Sequence, residues 1–454
     1  MKKKWNPGVF DGSGPKYLAL VEALEARIAS GELNPGDRLP SHRQLGNLFG
    51  VTIATVTKAM AEATRRGIIE ARVGSGTFIR ERAAAPQETR SIDLSINTLP
   101  TAVVADLLEA AAARVPSARL CRDLFDYSPY AGTAQQRRQG ADWIGRFGTS
   151  VQADRLLLTN GVHQGLLAAF GALLAPGRTA ICEPLTYTGI KRIADFRGVQ
   201  LAGAESDGEG LLPDSVEREL RRTGARVVVA TTVMQNPTTA TMSAERRLAL
   251  AEVCRRNDAW IIEDGVNIPL ANDGVPSLAA AAPERTIHLT GFSKCIASGF
   301  RLGYAAVPEP LLGAFHEALV GTQWTGPGFY AELAAGMFAD GLIDQCIARH
   351  REEAHARAAL VGTMLAQARP TALPSYHAWV DTPGGWSAED FSAHALQLGV
   401  RISPASHFAI APAGLPAAYR ISLGNCPDRA ELEQALTRLA GIGSGHSLSY
   451  DTVI

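Results

Sequence analysis

Lys294 stands among small residues in "GFSKCIASGFRLGY" (Gly291–Tyr304), with Arg301 seven positions on. A lysine amine condenses with an aldehyde to a Schiff base once its surroundings favour the neutral form. A guanidinium fork suits phosphate. Further upstream, short apolar runs end in complementary groups. "TNGVHQG" turns at Gly161 and opens a helix at Val162–His163, whose free amides suit a phosphate. "EPLTYTG" carries Tyr187, a face for stacking on a ring. Asn236 in "QNPT" can donate to a phenolic oxygen, and Asp264, closing "IIED", can pair with a pyridinium nitrogen. Pyridoxal 5'-phosphate needs this set: a lysine, an acid for the ring nitrogen and donors for its phosphate.

These residues need elements to position them. "RLLLTNG", "TAICEP", "ARVVVATTV", "AWIIEDG" and "TIHLTGFSK" are near-continuous apolar runs separated by helical stretches. That pattern predicts a mostly parallel sheet buried on both faces. Ligands in such sheets sit at the carboxyl ends of the strands, which is where the polar residues fall.

The whole chain has 454 residues and a net charge of −1. That balance hides an asymmetry. Met1–Arg82 holds 13 Lys/Arg and 8 Asp/Glu, while the remainder holds 31 and 37. A basic head on an acidic body points to a nucleic-acid partner for the head. The six cysteines form no C-x-x-C pair, so neither a zinc site nor a disulfide framework is expected. No apolar run approaches the roughly 18 residues of a membrane span, and the basic start lacks an apolar stretch behind it. A cytoplasmic protein with no membrane partner is expected.

In the head, Tyr17, Leu20, Val21, Leu24 and Ile28 share one helical face. Ser41 and Gln44 have capping-box spacing, and a Gly-Val-Thr turn leads to a second short helix with Thr52 at its N-cap. This is helix-turn-helix spacing. "IIEARVGSGTFI" then reads as strand, turn and strand, a wing. Thr52, Thr55, Thr57 and Lys58 can reach base edges and phosphates, and Arg38 and Arg43 can clamp phosphates. Ser41, with Gly76 and Thr77 of the wing, completes the expected face for a double-stranded DNA operator.

"GELNPGDRLPSHRQLGNLFGVTIATVTKAMAEATRRGIIEARVGSGTFI" resembles the winged helix-turn-helix of GntR repressors. It departs at "TIAT", where many relatives carry a basic residue after the first threonine, so the operator sequence stays open. "QNPT", "IIED" and "FSK…RLGY" resemble fold type I aminotransferases. That resemblance implies Lys294 as the Schiff-base lysine, Asp264 on the pyridine nitrogen, Asn236 on the phenolic oxygen and Tyr187 over the ring. It implies Ser293 and Arg301 on the phosphate, and Arg420 in "YRISLG" on an effector's α-carboxylate. Two positions depart from the pattern. Val266 and Asn267 stand where relatives place a tyrosine that touches the phenolic oxygen, and Asn267 is expected to donate there less well. Gly291 stands where a serine or threonine serves the phosphate.

The combination resembles the MocR subfamily. The expected architecture is α/β: a winged helix-turn-helix over residues 1–80, a linker over 81–91, an aminotransferase-like domain over 92–441 with a large lobe and a small C-terminal lobe, and a tail over 442–454. The resemblance implies a homodimeric, pyridoxal phosphate-dependent transcription regulator that senses an amine or amino-acid effector by external aldimine formation at Lys294. The rival reading is a working aminotransferase with a residual head.

Overall fold

Strand burial decides the layout of the larger part of the chain. This computed structural model describes residues 16–30, 32–34, 36–66, 68–72, 76–79, 91–115, 127–371 and 373–443. The chain divides into two compact units, one ending at Arg90 and the other starting at Ser91. Residues 81–90 of the expected linker, residues 444–454 of the expected tail, and the wing tip at 73–75 lie outside the described residues.

In the first unit, α1 (Lys16–Ala29), α2 (His42–Phe49) and α3 (Ile53–Arg65) precede β1 (Ile69–Arg72) and β2 (Gly76–Ile79), which pair antiparallel. Leu20, Val21 and Leu24 of the expected α1 face are fully buried against Leu45, Val56 and Ile79. The capping box at Ser41 and Gln44 is complete. Gly50 closes α2 in the left-handed region at φ 60°, where a glycine carries no Cβ penalty. Thr52 caps α3 by accepting from the Thr55 amide.

The second unit begins with β3 (Ile92–Asp93). Its main sheet contains β4 (Leu156–Thr159), β5 (Thr179–Cys182), β6 (Gln200–Gly203), β9 (Val227–Ala230), β10 (Trp260–Asp264), β11 (Thr286–Gly291) and β12 (Gly303–Ala306). A small hairpin, β7 (Ser206–Asp207) and β8 (Gly210–Leu211), follows β6. The spatial order is β4-β12-β11-β10-β9-β5-β6. Only β12 runs antiparallel to its neighbours. The small lobe carries an antiparallel sheet of β13 (His377–Asp381), β16 (Ala418–Ser422) and β15 (Ser403–Pro404), while β14 (Val400–Arg401) pairs in parallel with β3. The first residues of the unit therefore complete its last lobe, a closure over some 300 residues that local periodicity does not carry. The five described cysteines are buried and free.

Glu263 and Asp264 end β10 side by side, and successive side chains of a strand leave opposite faces. Glu263 is fully buried. Its carboxylate accepts from Thr232 Oγ1 at 2.9 Å, the Leu278 amide at 3.0 Å and the Ala279 amide at 3.1 Å, and pairs with His288 Nδ1 at 2.8 Å. Burial raises its pKa, but His288 and these hydrogen bonds outweigh burial, so the group sits below the usual carboxylate range. Removing one partner of a buried pair leaves the other uncompensated. Glu263→Ala is expected to cost about 3–5 kcal/mol. Urea unfolding followed by tryptophan fluorescence checks this, since five of the six tryptophans lie beyond residue 91.

Candidate functional site

The carboxyl ends of the parallel strands open onto a cavity of about 390 Å³. Val162, His163, Tyr187, Asn236, Asp264, Asn267, Ser293, Lys294, Arg301 and Arg420 all line it. These are all ten of the body's residues expected to hold cofactor or effector. Ser95, Asn97, Thr231 and Ser298 line it too, without having been anticipated.

At one end the cavity is built for an anion. Gly161, at φ 80°, precedes the helix Val162–Leu173, whose first amides have no partner within the helix. A Cβ on Gly161 would lie 2.5 Å from Arg301 Nη2, so the glycine clears the place of the guanidinium. Arg301 donates to Ser298 O at 3.4 Å and Asn160 O at 3.3 Å. Both bonds are long, and the fork can take a charged acceptor at shorter range. Tyr187 folds over Gly189, where a Cβ would meet its ring at 2.2 Å. The Tyr187 ring also meets the edge of His163 at 6.3 Å between centroids.

At the other end Asp264 is buried and, among the described residues, accepts only from the Val266 amide, at 3.1 Å. Burial lifts its pKa to about 6, against the Val266 amide and Lys294, which pull it down. A protonated ring nitrogen would give this carboxylate the cation it lacks. Asn236 accepts from Arg420 Nη1 at 3.0 Å through Oδ1, which leaves its Nδ2 as a donor. Asn267 behaves differently from the expectation. Its Nδ2 donates to Met234 O at 2.9 Å and Val233 O at 3.5 Å, so its donor is committed to the backbone and not to a phenolic oxygen.

The departure at Gly291 has a structural reason. Gly291 lies at the close approach of β11 and β12, where a Cβ would stand 2.7 Å from Leu302 O and 3.0 Å from Gly303 Cα. No hydroxyl side chain fits there without moving backbone.

Lys294 is partly buried beside Arg420 and Arg301. Burial first, then those two charges, lower its pKa to about 8, with Asp264 opposing. An appreciable share of neutral amine is therefore present near neutral pH, as nucleophilic attack on an aldehyde requires. Its Nζ donates to Asn97 O at 2.6 Å. Arg420 donates to Ser95 O as well as to Asn236, lies over the Phe408 ring at 4.9 Å, and keeps a buried Nε without a partner among the described residues. Its pKa falls to about 10 through burial. Thr98 Oγ1 and the Leu99 amide both bind Ser298 Oγ, at 2.8 and 3.1 Å. Residues 95–99 thus form a strap tied to the lysine loop and to Arg420. The strap reaches Lys294 and Arg420 through the carbonyls of Asn97 and Ser95, which side-chain chemistry in the sequence does not reveal.

Glu183, just beyond β5, stays out of the cavity. Burial raises it to about 7, and it accepts the amide of Thr231 at 2.9 Å, positioning that cavity wall.

In the head, Arg43, Thr52, Thr57 and Lys58 are exposed, and Thr55 is partly so. Arg38 lies against β2, where a Cβ on Gly76 would meet its Nε at 2.8 Å. Ser41 is occupied in the capping box, and the Thr77 carbonyl accepts from the Leu39 amide at 2.8 Å.

The family described as aminotransferase class I and II matches residues 89–439. The chain belongs to that family. Residues 16–79 match the bacterial regulatory proteins of the GntR family, so the head is a DNA-binding helix-turn-helix. The chain is 28% identical over 444 residues to the uncharacterized HTH-type transcriptional regulator YdeF of Bacillus subtilis, covering 95% of each. It is 28% identical to the HTH-type transcriptional regulator TauR of Rhodobacter capsulatus, covering 87% of this chain and 90% of that one. The regulatory protein MocR of Rhizobium meliloti, described as a probable regulator of rhizopine catabolism, is 25% identical over 345 residues, 69% of each chain. Among solved structures, LysN, an α-aminoadipate aminotransferase of Thermus thermophilus, superposes with TM-score 0.69 at 23% identity, covering 85% of this chain and 98% of that one. Fold and relatives imply pyridoxal phosphate as the cofactor. The cradle left by Gly161, the unpaired Asp264 and the orphaned Arg420 Nε fit it and an acidic ligand. Among the described residues no helix is long and apolar enough to cross a membrane.

Two outcomes are expected. Pyridoxal phosphate fixed with borohydride should label Lys294, and the rate of attachment should rise with pH through about 8; peptide mapping across a pH series checks both. Gly291→Ser, although it restores a hydroxyl, should gain no cofactor affinity and should lose about 1–3 kcal/mol of stability through overpacking, read by titration and melting.

Proposed function

We propose that the chain is a transcription regulator that binds double-stranded DNA through its head and senses an amine or amino acid at Lys294. The observation that carries this reading is the strap. The first described stretch after the linker binds both the lysine and the arginine that an effector would engage. When bound, the cofactor supplies an aldehyde carbon that holds one amine at a time. A linked Lys294 Nζ is tied elsewhere. A released Lys294 has the ammonium protons that Asn97 O accepts at 2.6 Å. An effector carboxylate competes for the Arg420 fork that otherwise holds Ser95 O and Asn236. The strap's partners therefore differ between the two states, and a ligand shifts an equilibrium only through such differences.

Asp264 holds the ring nitrogen in this reading, Asn236 Nδ2 serves the phenolic oxygen and Tyr187 covers the ring. Arg301, Ser293 and the amides of Val162 and His163 hold the phosphate. The working form is a cytoplasmic homodimer. Tyr127 and Trp324 are 78% and 66% exposed on two loops that bind each other through Ser128 and Thr325, and a second copy covers them.

Arg420→Ala should keep cofactor absorbance and salt-sensitive DNA binding while losing the spectral shift caused by an amino acid. A normal shift in this variant makes Arg420 structural. Repeated conversion of an amino donor and an oxo acid, in place of a single shift, would favour the aminotransferase reading. For the head, Arg43→Ala should lower the slope of log affinity against log salt by about 0.9, one phosphate contact.

A further inference from the structure

The start of α3 offers DNA something other than the polar side chains its sequence suggests. Thr52 Oγ1 accepts the Thr55 amide at 3.2 Å and shares a hydrogen bond with Thr55 Oγ1 at 2.9 Å. Thr57 Oγ1 donates to Ile53 O at 3.0 Å and lies 3.4 Å from His42 Nδ1. Lys58 Nζ stands 4.3 Å over the Tyr17 ring. Each of these groups has a partner inside the head. Ile53, the first residue of α3, is 55% exposed, and the exposed Ala54 follows it. This is the position where "TIAT" departs from the basic residue of the GntR pattern.

An exposed β-branched side chain has no hydrogen bond to give, and its stiff χ1 presents two apolar branches in a fixed direction. The first residues of a recognition helix face base edges in the major groove. The apolar group displayed there is the C5 methyl of a pyrimidine. We propose that Ile53 is a specificity-determining residue that reads this C5 methyl in the operator. The inference rests on the DNA-binding reading of the head. The occupant follows from the GntR match over residues 16–79 and from the head's charge, 13 basic against 8 acidic residues through Arg82. No arginine stands at this place to pair with a guanine, so the position offers a methyl-bearing pyrimidine an apolar contact.

The test uses the full chain loaded with pyridoxal phosphate. Binding sites are selected from random duplex DNA, and each thymine of the selected site is replaced singly by uracil, which removes only the methyl group. Affinity should fall about fourfold at one or two thymines, the worth of one buried carbon group. Ile53→Ala should bind thymine and uracil equally at those positions, Ile53→Val should fall between, and Ile53→Arg should select guanine there. Where cytosine replaces the thymine, 5-methylcytosine should recover affinity if the methyl alone is read; no recovery confines the reading to thymine. Uracil without effect at every position, with salt-sensitive binding intact, overturns the Ile53 assignment alone. Loss of all salt-sensitive DNA binding in the unmutated chain overturns the regulator reading with it. A change in self-association on Ile53→Ala, with the uracil penalty unchanged, assigns Ile53 to a protein contact and also overturns the proposal.

Discussion

Two neighbouring carboxylates at the end of one strand set the terms for the rest of the body. Glu263 points to the side where Thr232, His288 and two helix-opening amides fill its capacity. Asp264 points to the other side with one amide only among the described residues. The alternation of a strand forces this division, and the saturated member makes the unsaturated one tolerable. Glu263 anchors β10 to β9, β11 and the helix at Leu278, so Asp264 is held at a fixed depth. A buried carboxylate left short of partners rises in pKa until a cation arrives.

The cavity around it is short of negative charge. Lys294, Arg301 and Arg420 face it against a single carboxylate, Asp264. Burial lowers both Lys294 and Arg420, and at Lys294 the charges of Arg420 and Arg301 add to it. An anionic ligand relieves that field twice, once at the Arg301 end and once at the Arg420 end. The position of Arg301 follows from Gly161, which leaves room for its guanidinium. The strap satisfies Lys294 and Arg420 with carbonyl dipoles, which are weaker partners than the anions they stand in for.

Much of this was legible in the sequence because the informative residues are side chains at strand ends. Apolar runs fixed the strands, and the residues that closed them were polar. Lys294, Asp264, Asn236 and Arg301 therefore meet as read. The capping box at Ser41 was legible for the same reason, since its chemistry is local. Three things were not. The antiparallel placement of β12 depends on sheet order, not on composition. The strap at Ser95–Leu99 meets Lys294 and Arg420 through main-chain oxygens, which every residue has. Asn267 could be identified as an amide, but the direction of its donor depends on the carbonyls of Val233 and Met234, far away in sequence. Arg420 was found by its place in "YRISLG", while its bond to Ser95 O needed the fold.

Gly291 carries a consequence for how such a protein can change over time. The space above it is closed by Leu302 O and Gly303 Cα, backbone atoms at the start of the adjoining strand. A change to serine meets a wall and not a vacancy. Recovery of the hydroxyl requires β12 to retreat first, and that retreat brings no benefit without the serine. The two steps are useful only together, so the substitution acts as a ratchet: drift away from the phosphate-binding hydroxyl is easy to keep and hard to reverse.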